Sequence, residues 1–262
     1  MIEFSCHTWT FSDLTLPEAL GTIARLGFRY VDVGLAASKA PSDARRAAQE
    51  IKNDLLLYNL RLADLYLMLP RISLPDERRD HDIETFKGLL PLAQALETPG
   101  ITPSPGVKQE DDGAFERAAD ALRTMVSAAQ AINLRVSIEP HVESMASTPE
   151  AALRLLETVP GLELTLDWAQ MVYNNSTREA ILSLLPKTRH VQIRQAARGH
   201  LQTPFDQGKI DLARVVADLK AVNYGGAICV EIVNTPGRYG ITKVSAVGES
   251  VRLRDALREA RG

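Results

Sequence analysis

The chain has 262 residues, 45% hydrophobic and 24% charged, with 16 Gly and 14 Pro. That is the make-up of a globular protein long enough to bury a large core without staples. A formal charge of −3 and the lack of any Lys/Arg-rich run give nucleic-acid binding little electrostatic support. No apolar run approaches the roughly 18 residues that a membrane span requires, and the opening MIEFSCHTWTF has no basic stretch followed by an apolar one. Two cysteines, Cys6 and Cys229, both within apolar runs, fit a reduced cytoplasmic protein in which they are inert core residues.

Short apolar runs alternate with longer helical patterns from the first residues. The pattern predicts a strand over 3–9, a helix over 16–27 beginning with Pro17 and ending at Gly27, a strand over 30–35, and a helix over 42–59 with Ser42 as N-cap. A strand over 60–69, a helix within 78–97 and a Pro-rich strand over 100–106 follow. The second half gives a helix over 112–133, a strand over 134–141, a helix over 148–160 capped by Thr148, a strand over 162–172 and a helix over 177–186. It closes with a strand over 189–195, a helix over 211–224, a strand over 227–233 and a helix over 245–260.

Eight strand–helix units in succession, with no linker or low-complexity tract, imply a parallel sheet with right-handed crossovers. That count in this length predicts a single (β/α)₈ TIM barrel spanning 1–262. A doubly wound nucleotide-binding sheet would need a glycine-rich phosphate motif after the first strand, and none is present.

In such a barrel, chemistry belongs at the C-terminal ends of the strands. The later strands end in polar residues: Glu139 and His141 in SIEPH, Asp167 and Gln170 in TLDWAQ, and Glu231 in CVEIV. In HVQIRQ the alternation points His190, Gln192 and Arg194 to one face and Val191 and Ile193 to the other, with Arg198 in the following loop. Glu139, Asp167 and Glu231 each follow apolar residues, so each is expected to be buried. Three buried carboxylates converging on one mouth need a cation, and oxygen ligands favour Mg²⁺ or Mn²⁺ over zinc. A single acid at a strand end is often only a helix cap or an ion-pair partner. Asp32, Asp64 and Tyr66 are read in that structural sense, as pocket lining at most. His7 is balanced between packing near Trp9 and contacting substrate.

The segments TLPEALGTIARLGFRYVDVGL, LRVSIEPH, ASTPEAALRLLETVPGLELTLDWAQ, HVQIRQAARG and GKIDLARVVADLKAVNYGGAICVEI resemble the xylose isomerase-like barrels of the sugar phosphate isomerase/epimerase superfamily. The resemblance implies a ketose 3-epimerase-like site in which Mn²⁺ or Mg²⁺ is held at Glu139, Asp167, Gln192 and Glu231. It also implies that Glu139 and Glu231 act as the acid–base pair. His7, His141, Gln170, His190, Arg194 and Arg198 are then the expected substrate-binding residues. Two positions depart from the pattern: Gln192 stands where a metal-binding histidine is usual, and Gln170 where a substrate-contacting histidine is common. A glutamine carbonyl is neutral and a weaker ligand than imidazole for transition metals.

The expected chemistry is therefore proton abstraction beside the carbonyl of a keto sugar or keto acid, with a metal, or Arg194 and Arg198 in its place, stabilising the enediolate. The same intermediate also opens a lyase or dehydratase outcome on an oxidised sugar. A metal-independent hydroxypyruvate-type isomerase and a non-catalytic sugar-binding or accessory subunit are the other readings left open. Partners are expected to be a small-molecule substrate and a second copy of the chain, with neither nucleic acid nor membrane.

Overall fold

A computed structural model describes residues 2–262 of the chain. The strands are β1 (Glu3–His7), β2 (Tyr30–Ala36), β3 (Arg61–Met68), β4 (Ile101–Pro103), β5 (Val136–Ile138), β6 (Leu162–Asp167), β7 (Thr188–Ile193) and β8 (Ala227–Val230). They close in sequence order, all parallel, with β1 pairing to both β2 and β8. The helices are α1 (Leu16–Arg25), α2 (Ala44–Leu57), α3 (Glu77–Leu96), α4 (Ala114–Gln130), α5 (Pro149–Thr158), α6 (Trp168–Tyr173), α7 (Arg178–Leu184), α8 (Leu212–Ala221) and α9 (Ala246–Arg261). The fold is a (β/α)₈ barrel, as the alternation predicts. Among the described residues no helix is long and apolar enough to cross a membrane.

The apolar positions of the strands point outward. Val31 and Val33, Leu65 and Leu67, Leu164 and Leu166, Val191 and Ile193, and Ile228 and Val230 are fully buried beneath the helices. Their alternation with polar residues leaves the latter in the barrel interior, which is the reverse of a strand facing water on one side.

Local chemistry corrects several predicted ends. The cap of α2 is Asp43, whose side chain accepts from the amides of Arg45 and Arg46, rather than Ser42. Thr148 does cap α5, accepting from Ala151 N–H. β1 stops at His7 because the His7 Nδ1 accepts from Trp9 N–H at 3.1 Å and starts a helical turn over Thr8–Phe11. The strand predicted over 162–172 is a strand only to Asp167. There the Asp167 carboxylate accepts from Ala169 N–H at 2.8 Å and caps α6.

The floor of the barrel is ionic. Partners along β6 and β7 jump from Leu164↔Thr188 to Thr165↔His190, leaving Arg189 as an extra residue without an opposite number, as in a β-bulge. Both Arg189 and His190 consequently turn inward. Arg189 donates to Asp64 at 2.6 Å, to Ser137 at 2.6 Å and to Thr102 at 3.0 Å. Thr165 joins the same network through Thr102 and Ser137, each at 2.7 Å. Beside this plug the His190 Nε2 meets the Asp32 carboxylate at 2.5 Å.

Candidate active site

Above the floor, three strands bring acids to one point. Glu139 follows β5, Asp167 ends β6, Glu231 follows β8, and each offers an oxygen within 4.8 Å of the others. The expected convergence of these three carboxylates is what the structure shows. They form a group able to hold a metal ion.

Arg194 lies among them. Its Nη2 is 2.8 Å from the Asp167 Oδ2 and its Nη1 donates to the Glu231 Oε2 at 2.9 Å. Its Nε donates to the Leu201 carbonyl at 3.3 Å. The side chain is almost wholly enclosed, so the guanidinium is a fixed part of the wall. Arg194, expected as a substrate-binding group, is tied to the two acids through these contacts.

The pair of glutamates is unequal. Burial, reinforced by the charges of Glu231 and Asp167, pushes the Glu139 carboxyl well above the usual carboxylate range. Burial likewise raises Asp167 to about 6, although Arg194 draws it down. Glu231 carries its ion pair with Arg194 and is the most accessible of the three acids. Tyr66 stands against Glu139, and burial together with that neighbouring carboxylate holds its phenol well above its ordinary value. Read from sequence only as lining, Tyr66 belongs to the site. Nothing in the alternation marked it, because its contact with Glu139 spans the barrel.

Gln192 is the odd member. It is fully enclosed, and neither its Nε2 nor its Oε1 has a hydrogen-bond partner among the described residues. An unpaired buried polar group costs about 1–3 kcal/mol, so the free amide points to a ligand that supplies both a donor and an acceptor. A six-coordinate Mn²⁺ or Mg²⁺ fits the donor set poorly. One Asp167 oxygen is taken by the Ala169 amide, while the other and a Glu231 oxygen face the guanidinium. A divalent ion among these acids would also share them with the guanidinium, whose like charge opposes it.

The remaining expected contacts divide. His7 is buried, packs its ring at 5.1 Å from Trp9 and 5.7 Å from Tyr66, and leaves its Nε2 without a partner. This aromatic wall requires Gly34, since a Cβ there would lie 2.5 Å from Trp9 and 2.7 Å from His7. His141 sits at the rim with its Nδ1 2.6 Å from the Val142 carbonyl, and burial holds its imidazole below the usual value. Gln170 is occupied as a brace, its Oε1 accepting from Val142 N–H at 3.0 Å. His190, expected to bind substrate, is 1% exposed and locked to Asp32 in the floor. Asp32 and Asp64 are ion-pair partners there, the structural role read for them from sequence. Arg198 is exposed on the turn after β7, with no ion pair among the described residues. Cys6 and Cys229 are free and buried, with burial raising both thiols, Cys6 to about 12.

A cleft of about 600 Å³ opens over the site, lined by Trp9, Gly34, Lys39, Met68, Glu231 and Asn234 among others. Glu231 is the acid that reaches it. A family model described as the xylose isomerase-like TIM barrel matches residues 20–258. The chain belongs to this family. Among solved structures it is similar to a D-allulose 3-epimerase from Methylomonas sp., with TM-score 0.79 and 18% identity over 99% of this chain and 98% of that one. A D-psicose 3-epimerase from Clostridium cellulolyticum H10 gives TM-score 0.79 and 16% identity over 99% of each chain. The 3-keto-D-glucoside 4-epimerase from E. coli gives TM-score 0.75 and 17% identity over 100% of this chain and 99% of that one. At these identities the likeness establishes the fold. No curated protein matches the sequence.

Proposed function

We propose that this member of the family is an isomerase or epimerase of a keto sugar or related keto acid, acting by proton abstraction from a carbon beside a carbonyl. The observation that carries this reading is the unlike surroundings of two glutamates at one barrel mouth. Glu231 is partly accessible and paired with a guanidinium, whereas Glu139 is buried and its carboxyl is pushed well above the usual range by burial and two acidic neighbours.

Glu231 accepts the proton of the α carbon, and the C–H electron pair moves into an enediolate. Glu139 then gives its proton to the opposite face of that carbon, which inverts it, or to the neighbouring carbon while the hydroxyl proton on the first carbon passes to the enediolate oxygen, which moves the carbonyl. Exchange with solvent resets the two acids. Two carboxyls in different environments meet the general rule for assigning base and acid. The negative oxygen is stabilised by the remaining N–H groups of Arg194 and by the free Nε2–H of Gln192. Trp9, on the cleft wall, offers its face to the apolar side of a sugar, and Arg198, exposed on the turn after β7, is assigned to its hydroxyls. The structurally similar epimerases of ketoses and of a keto-glucoside support this class of substrate. The Mn²⁺ or Mg²⁺ that the resemblance implies would draw on Glu139, Asp167, Gln192 and Glu231, and no step above uses it.

The test is deuterium incorporation from D₂O into D-allulose, L-ribulose, D-tagatose and a 3-keto-D-glucoside, followed by NMR. Label at one α carbon, lost in Glu231→Gln and in Glu139→Gln, is expected. Label accompanied by loss of a β substituent would make the enzyme a lyase. No exchange into any of them by the folded protein would refute the assignment.

A further inference from the structure

The three acids pose a problem that any account of the site must solve, whatever the substrate. They lie within 4.8 Å of one another in a buried pocket, and such a group needs positive charge among its members or retained protons to neutralise them. The structure contains that charge already. Arg194 bridges Asp167 and Glu231 through separate Nη atoms, and its third contact, to the Leu201 carbonyl, fixes the plane of the guanidinium.

Gln192 completes the observation. It lies two residues before Arg194 on the same inward face of β7, opposite Asp167 on one side and Cys229 on the other. Its carbonyl oxygen and its amide nitrogen both lack a partner among the described residues, so the whole amide stays available to a ligand. The strand therefore offers a neutral side chain where a ligand would stand and a permanent cation where the ion's charge would act.

We propose that Arg194 is the resident cation of this site, taking the place of a divalent metal, and that Gln192 and Arg194 together make the protein metal-independent. Arg194 is on this account a positioning and charge-stabilising residue, and Gln192 an amide kept free for an oxygen of the ligand. What balances the acids is independent of which substrate the site takes.

The experiment is Mn²⁺ binding, read by metal analysis of protein purified without chelator, by electron paramagnetic resonance during Mn²⁺ titration, and by the shift of Tm on adding Mn²⁺ or EDTA. The wild-type chain is expected to carry only trace metal, to leave added Mn²⁺ free in solution and to melt at the same temperature with either addition. The double variant Gln192→His with Arg194→Gly, which supplies an imidazole and removes the cation, is expected to take up one Mn²⁺ per chain and to gain Tm with it. A further Glu231→Gln change should abolish that gain. Stoichiometric Mn²⁺ on the wild-type chain, or an EDTA-induced fall in its Tm, overturns the proposal. So does a folded double variant that binds no Mn²⁺. If the double variant does not fold, the wild-type titration alone decides. None of these readouts involves turnover, so a failure here is distinct from a failure of the proposed reaction.

Discussion

Replacing Arg194 by methionine removes the cation but keeps a side chain of similar length and buried apolar character. Asp167 and Glu231 then face each other without their 2.8 Å and 2.9 Å partners. Breaking a buried pair by deleting one member costs about 3–5 kcal/mol, and here one deletion strands two acids. The protein can relieve part of this by protonating one of them. That raises its folded pKa above the unfolded value, so the relief is complete at low pH and is lost as pH rises through the folded pKa. Each pH unit adds about 1.4 kcal/mol while the proton is retained only by the folded state. Urea unfolding at pH 5 and pH 8 measures the difference. The expected loss is near the upper end of the range at pH 8 and clearly smaller at pH 5. Adding Asp167→Asn and Glu231→Gln should recover most of it, because a neutral cluster needs no counterion. A loss below about 1 kcal/mol, or one equal at the two pH values, would refute the view that Arg194 balances these acids.

Glu139→Gln should lower exchange activity by roughly 10²–10⁴-fold, the usual range for an acid–base group. The wild-type Glu139 carboxyl is raised on folding, so its contribution to stability is lost as pH climbs above the ordinary carboxylate range. The glutamine variant should therefore gain stability relative to wild type between pH 5 and pH 8, measured by the same unfolding curves. Arg189→Met should destabilise by about 3–5 kcal/mol by leaving Asp64 unpaired in the floor, and a second change, Asp64→Asn, should restore part of it. Arg198→Ala should raise KM while leaving kcat unchanged and stability within about 0.5 kcal/mol, as steady-state kinetics and thermal melting will show.

The barrel was legible because the alternation of elements is a property of the chain itself, and eight polar-in, apolar-out strands leave few other closures. The ends of elements were less legible, and Asp167 shows why. One carboxylate both ends β6 and caps α6, so a run of apolar residues that continues past it looks like more strand. The three acids could be placed because each follows a buried run at a strand end. Arg189 was missed because strict alternation turns it outward, and only the register shift opposite Thr165 brings it in. The role of Arg194 depends on distances across the barrel that spacing along β7 does not encode. Still, a charge count of the strand ends pointed to a missing cation, and an arginine on the same face was the nearest supply. His190 misled for a related reason: its facing was right, but its depth set it against Asp32.

The two ends of β7 are linked mechanically. A strand advances about 3.3 Å per residue, and a slip of one residue exchanges its two faces. Such a slip would pull Arg189 off Asp64 and His190 off Asp32 at the bottom, and would turn Gln192 and Arg194 out of the mouth at the top. The floor thus works as an indexing pin for the strand that carries the cation. The placement of a guanidinium among the three acids at the barrel mouth is held in part by ion pairs at its opposite end.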